Sequence, residues 1–351
     1  MLFSRQRQQI LFKLSLAACV LAMSVVILGA FTRLVHAGLG CPDWPGCYGH
    51  LLWPNDSEEI AQANTAFPDA PVDADKTWPE MVHRYLAGSL GLLILIITIV
   101  CLYQAKHLPE DEQRPPIKHA IGLLTLVILQ AAFGMWTVTL KLWPQIVTVH
   151  LLGGFATLSL LWLFNQRIGG HRWQLSPEQA DRLKPLKPWL YLALVVVIGQ
   201  ITLGGWTSAN YAALACPDLP MCLEHWWPPM DFASGFNIFQ DVGPNYLGGL
   251  LDSESRTAIH MSHRIGAIMV VSVLLCVGIA MWRTAIPIVR CWVVVLLGVT
   301  ALQVTLGLSN IFFLLPLSVA VAHNAVGAML LLTLITLLHR IVGVRVKTPD
   351  K

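Results

Sequence analysis

The sequence predicts an all-α membrane protein: eight transmembrane helices forming two homologous four-helix bundles related by a pseudo-twofold axis along the membrane normal. Three observations predict it, namely a shortage of charge, eight long apolar runs and an ordered internal repeat. Of the 351 residues 55% are apolar and 12% charged, whereas an ordinary soluble domain carries about 25% charge. The apolar runs centre roughly on residues 14–36, 80–103, 119–140, 146–165, 189–209, 257–281, 290–310 and 318–339, and about 20 such residues cross a bilayer. Lipid offers the backbone no hydrogen-bond partner, so each run has to close its own bonds as a helix. The first run is too long for a cleaved signal peptide, and Thr32 and Arg33 continue it without a small-residue cleavage site. No Arg- and Ser-rich transit segment precedes it, which favours a bacterial inner membrane over a mitochondrion.

Charge sets the expected orientation. Segments 1–13, 104–118, 166–188, 282–290 and 340–351 hold 17 of the 23 Lys and Arg residues. They alternate with the runs so that all fall on one side, which the positive-inside rule makes cytoplasmic, with both termini there. The other side receives two long loops, about 37–79 and 210–256, and two short ones near 141–145 and 311–317. No basic patch points to nucleic acid.

The repeat organises the chain. Gly29-Ala30-Phe31-Thr32, ending in Cys41-Pro42-Asp43-Trp44-Pro45-Gly46-Cys47, returns 175 residues later as Gly204-Gly205-Trp206-Thr207, ending in Cys216-Pro217-Asp218-Leu219-Pro220-Met221-Cys222. Glu80-Met81-Val82-His83-Arg84 returns as His260-Met261-Ser262-His263-Arg264. Gln130, Gly134 and His150 return as Gln303, Gly307 and His323. Three matches in one order divide the chain into halves, 1–170 and 189–340, with cytoplasmic segments 171–188 and 341–351 beside them. Each half has an even number of spans, so both copies share one orientation.

Four histidines stand out among twelve. His36, His50, His107, His119, His171, His225 and His339 fall in loops or near helix ends, where imidazoles are solvated or interfacial. His83, His150, His263 and His323 lie inside the second, fourth, sixth and eighth spans, where an ionisable group is costly and functional by default. Each is four to seven residues from the outer end of its run, which at about 1.5 Å per residue puts all four at one level. Two facing imidazoles in a bundle suit a six-coordinate haem iron. The alternatives are histidines hydrogen-bonded across helices, and zinc, which lacks a third or fourth ligand at that depth. No Cys-x-x-Cys-His occurs, so a haem would be held without covalent attachment. Arg84 and Arg264 could meet haem propionates or snorkel to lipid phosphates. Glu80, three residues before His83, shares its face of the helix, and its counterpart in the second half is His260. A carboxylate beside an iron site can move protons, so the first half is expected to do chemistry and the second to relay electrons. The other reading makes Glu80 a helix-start residue favoured by the dipole.

Cys41 with Cys47, and Cys216 with Cys222, share outer loops where thiols oxidise readily, so two disulfides are expected, as loop staples or as redox groups. Cys19, Cys101, Cys276 and Cys291 read as small apolar fillers.

Together these residues resemble the haem A synthase family over nearly the whole chain: the Glu80-to-Arg84 element, His263-Arg264, His150, His323 and both Cys-Pro-Asp-x-Pro-x-Cys loops. The resemblance implies conversion of haem O to haem A, a porphyrin methyl becoming a formyl through two hydroxylations and loss of water. It implies that His83 and His150 hold the substrate haem O, that His263 and His323 hold a haem b, and that Glu80 is the catalytic carboxylate. It also brings in an electron carrier, a haem O synthase and cytochrome oxidase assembly factors as partners, besides the lipid bilayer. About 30 residues after Trp53, rich in Asp, Ala and Pro, read as a variable surface insertion. Two rivals remain from the residues alone: a diheme b-type electron-transfer cytochrome, which leaves Glu80 without a task, and a transporter, which would need Gly or Pro interruptions at mid-membrane.

Overall fold

A computed structural model describes residues 2–107 and 114–347, with the backbone alone over residues 2–7. Its helices are α1 (Leu2–Leu34), α2 (Ser57–Ala66), α3 (Ala74–His107), α4 (Ile117–Thr139), α5 (Pro144–Ile168), α6 (Pro177–Leu183), α7 (Lys187–Ala209), α8 (Phe232–Gly235), α9 (Ser253–Trp282), α10 (Pro287–Phe312) and α11 (Leu317–Val342). Among the described residues eight helices are long and apolar enough to cross a membrane: α1, α3, α4, α5, the α6–α7 stretch, α9, α10 and α11. Part of the expected basic connector, 108–113, and the last residues of the tail, 348–351, lie outside the described residues.

Local chemistry sets the helix ends. Pro144 and Pro287 open α5 and α10, where a fixed φ and a missing N–H cost nothing. Asp252 starts α9 by accepting from the Ser255 N–H at 2.8 Å, as N-cap carboxylates do. Two helices begin well before the apolar runs that betray them. α3 starts at Ala74 and takes in Lys76 and Pro79, and α9 starts at Ser253; both project a polar first turn or two beyond the apolar stretch. The insertion after Trp53 is partly ordered, since Asp56 caps α2 through the Glu59 N–H at 2.8 Å.

Within the first half α1 packs on α3 and α5, and α4 closes the ring by packing on the same two helices. In the second half α7 and α10 both pack on α9 and α11. The helices that carry the four singled-out histidines are therefore diagonal to each other in each ring. α5 against α7, α1 against α11 and α5 against α11 join the halves. One apolar core, including Leu11, Phe164, Leu190, Leu274 and Leu337, runs through both.

The repeat is written into the backbone. Positive φ occurs at His36 and Tyr211, at Tyr48 and Leu223, and at Lys141-Leu142 and Leu314-Leu315, and cis prolines follow Trp44 and Leu219. Each pair occupies equivalent places in the two copies. His36 and Tyr211 also stack on one another, ring centroids 5.5 Å apart and planes 2° from parallel. Equivalent residues in mutual contact are what a pseudo-twofold axis produces, and the arrangement is consistent with one. Arg33 fastens the same seam, donating to the Tyr211 hydroxyl at 2.5 Å and the Ser208 carbonyl at 2.7 Å, with its guanidinium 4.0 Å from the Tyr211 ring centroid. At the basic end a two-residue parallel pairing ties β1 (Gln174–Leu175) to β2 (Arg345–Val346).

Candidate functional site

Each of the four histidines lies against a glycine of the membrane-spanning helix that precedes its own. An added Cβ at Gly29 would fall 2.9 Å from His83 Cε1, at Gly134 3.3 Å from His150 Cε1, at Gly204 3.2 Å from His263 Cε1, and at Gly307 3.1 Å from His323 Cε1. Any other residue would push the ring away, so the glycines are steric conditions of the site. His83 and His150 stand on diagonal helices of one ring, and His263 and His323 on diagonal helices of the other. The rings are part-buried, yet Nδ1 of His83, His150 and His323 is sealed and has no hydrogen-bond partner. A buried, unpaired ring nitrogen is costly, and two imidazoles per half with unspent nitrogens are the kind of donor that a porphyrin iron takes. No group of three or more His, Cys, Asp or Glu side chains that could hold a bare metal ion occurs among the described residues. The residues thus fit a haem in each half.

Glu80 is not at a helix start. It lies in the second turn of α3 and is 4% exposed. Its Oε2 accepts the Cys41 N–H at 2.9 Å, and its Oε1 pairs with Arg84, one turn further along. Of three ion pairs among the described residues, it alone is largely shielded, with Arg84 13% and Glu80 6% exposed, and such a pair is tolerable only with its other hydrogen bonds satisfied. His260, at the equivalent place and 5% exposed, donates from Nδ1 to the Ala212 carbonyl at 2.9 Å. One copy thus offers a buried carboxylate and the other an imidazole tied to backbone.

Both outer loops close as disulfides, Cys41–Cys47 and Cys216–Cys222, each with Cα atoms 4.8 Å apart. Asp43 organises the first by accepting from the N–H groups of Tyr48 at 2.6 Å and Gly49 at 2.8 Å; Asp218 accepts from Glu224 at 3.1 Å in the second. The two arginines hold these loops. Arg84 donates to the carbonyls of Asp43, Pro45 and Gly46, and Arg264 to those of Met221, Cys216 and Asp218. Each guanidinium is largely occupied by loop carbonyls, which spacing alone did not reveal. Tyr48 packs beside the first disulfide, and burial, then the charge of Glu80, pushes its phenol up. Cys19 and Cys101 are buried as expected of fillers, whereas Cys276 and Cys291 face outward.

Sequence reasoning missed Gln200, whose side chain meets His263. A signal was present: Gln-x-x-x-Gly occurs at 130–134, 200–204 and 303–307, always ahead of a candidate ligand.

Comparison with known proteins agrees in extent with this repeat-wide site. A family model described as cytochrome oxidase assembly protein matches residues 12–335. The chain is similar to the heme A synthase of Shewanella oneidensis, 44% identical over 318 residues, covering 91% of this chain and 92% of that protein. It is similar also to those of Caulobacter vibrioides, 27% identical over 93% of this chain and 94% of that one, and Allorhizobium ampelinum, 26% identical over 94% and 89%.

Proposed function

Since the chain belongs to the cytochrome oxidase assembly family that includes the heme A synthases, we propose a division of labour between its two halves. It acts as a haem A synthase, a multi-pass membrane oxidoreductase with haem O as substrate and haem A as product. In our reading His83 and His150 hold the substrate haem in half 1–170, and His263 and His323 hold a resident haem b in half 189–340. The haem b supplies one-electron transfer between the first site and an external carrier. Segments 171–188 and 341–351 are cytoplasmic, as are both termini, so the long loops and the rings face the periplasm of a bacterial inner membrane.

The observation that carries this reading is the asymmetry at one repeat position, Glu80 against His260. Oxidising a methyl to a formyl releases protons, and Glu80 is the buried carboxylate one turn from the first pair of rings. Arg84 and the Cys41 N–H hold it in place, and a fixed carboxylate can accept and pass on protons. Arg84 and Arg264 spend their terminal N–H groups on loop carbonyls, so their main work is to hold the disulfide loops. The disulfides staple these loops; electron carrier, haem O synthase and oxidase assembly factors would meet the protein from outside it.

Glu80→Gln keeps the shape and the acceptor for Cys41 while removing the base. Cells supplied with haem O and carrying this variant should accumulate protein with normal haem content and no formyl product, as seen by chromatography of extracted haems. Full conversion to haem A by the variant removes Glu80 from the mechanism.

A further inference from the structure

At three of the four ring positions a glutamine meets the histidine, on its backbone carbonyl, its ring or both, and at the fourth no glutamine does. Four residues before the glycine beneath the ring stands a glutamine: Gln130 before Gly134, Gln200 before Gly204 and Gln303 before Gly307. That spacing puts both on one helix face. Gln130 donates to the His150 carbonyl at 2.8 Å. Gln200 donates to the His263 carbonyl at 2.9 Å and lies 3.1 Å from its Nδ1, and Gln303 lies 3.3 Å from His323 Nε2. A second glycine, on the ligand's own helix, makes room for each amide. A Cβ at Gly153 would fall 2.3 Å from Gln130 Oε1, one at Gly266 2.2 Å from Gln200 Oε1, and one at Gly327 3.3 Å from Gln303 Nε2.

At the fourth ring the position before Gly29 is Val25, and the residues three and four after His83 are Leu86 and Ala87. Neither the amide nor the second glycine exists there. His83 Nδ1, like that of His150, has no hydrogen-bond partner. The loss of glutamine and of its glycine at the same ring is a matched change, not a stray substitution.

We propose that His83 is the more easily released of the two histidines that would hold the substrate haem in the first half, and His150 the one that would keep it. This stands on the reading of the first half as the substrate site. A substrate porphyrin has to leave after each turnover, and a resident one has to stay. Groups that fix how a metal-bound imidazole is oriented change metal retention by about 10–100-fold; Gln130 holds the backbone beneath the His150 ring and no glutamine holds the backbone beneath His83, which makes His83 the weaker of the pair. Val25 and Gln200 are positioning residues here, acting through His83 and His263.

Purified haem-loaded protein mixed with excess apomyoglobin gives the release rate of each haem, followed by visible absorption and chromatography. Val25→Gln with Leu86→Gly transplants the fastening and is expected to slow release from the first site about tenfold. Added imidazole should bind at the first site of the unmodified chain and fail to bind in the double variant. Gln200→Leu, which removes the fastening from the second site, should speed release there about tenfold. A double variant that matches the unmodified chain in haem content, release and imidazole binding overturns the proposal. If the double variant does not retain haem, Gln200→Leu decides, and unchanged release from the second site overturns it. His83→Ala and His263→Ala, run alongside, separate the two levels. Loss of the same pigment from both sinks the substrate-and-resident reading itself, whereas different losses with release indifferent to the glutamines sink only the releasable ligand.

Discussion

Replacing Gly29 by alanine tests the packing from which the sites are built. The new methyl carbon would lie 2.9 Å from His83 Cε1, whereas carbon atoms rest comfortably about 3.5–4.0 Å apart. The ring or the helix must therefore yield by roughly 0.6–1.1 Å, the difference between those separations. Overpacking of this kind costs about 1–3 kcal/mol, and the better helix propensity of alanine returns about 1 kcal/mol. The net loss of roughly 0–2 kcal/mol leaves a folded protein, while a functional group has to be held within about 0.5 Å. Gly29→Ala should thus melt close to the unmodified protein yet show an altered visible spectrum and a reduced share of first-site haem. Gly88→Ala, whose methyl would meet nothing within 4 Å, is the control. Equivalent changes at Gly307, Gly204 and Gly134, with closest approaches of 3.1, 3.2 and 3.3 Å, should disturb their own sites progressively less. A Gly29→Ala protein indistinguishable from Gly88→Ala in spectrum and haem content refutes the cradle.

Two further outcomes follow from the outer face. Arg84→Ala and Arg264→Ala both free a disulfide loop, but Arg84→Ala also strands the Glu80 carboxylate, and an unpaired buried charge costs about 3–5 kcal/mol. Arg84→Ala should melt well below Arg264→Ala, with Glu80→Gln restoring part of the difference; equal melting temperatures contradict the buried pair. At the seam between the halves, burial and then the charges of Arg33 and Lys76 hold the His36 imidazole below its usual range. The unfolded chain then binds a proton more readily than the folded one, so the contribution of His36 is present above about pH 6.5 and declines as pH falls below it. Melting temperatures between pH 7.5 and 5 should drop less in His36→Gln than in the unmodified protein, and parallel curves remove His36 from the seam.

Most of the architecture was legible because lipid leaves the chain few choices. Eight apolar runs gave eight helices, and the repeat, visible in the Cys-Pro-Asp loops and the His-Arg elements, reappears as paired positive-φ residues and cis prolines. The four histidines were legible because an ionisable side chain in an apolar run is conspicuous. What lay beyond reach had weaker periodic signals. α3 begins at Ala74, before its apolar run, because Asp73 to Lys76 carries a polar turn outside the apolar stretch. That shift is why Glu80, which by hydropathy sits at a boundary, is buried inside a helix and paired. The destination of Arg84 and Arg264 depends on the path of loops some 40 residues away in sequence, and no local pattern encodes that path. The same holds for β1 and β2, two residues each, which meet only because α5 and α11 end side by side. Gln200 was readable in principle, since the glutamine–glycine spacing recurs, but its purpose depends on which ring lies beneath it.

The central claim is that the two pairs of imidazoles hold different porphyrins. Chromatography of haems extracted from purified His83→Ala and His263→Ala proteins, made in cells that supply haem O, tests it directly. The expected result is loss of haem O and haem A with protohaem retained in His83→Ala, and loss of protohaem in His263→Ala. Both variants losing the same pigment, or neither losing any, contradicts it.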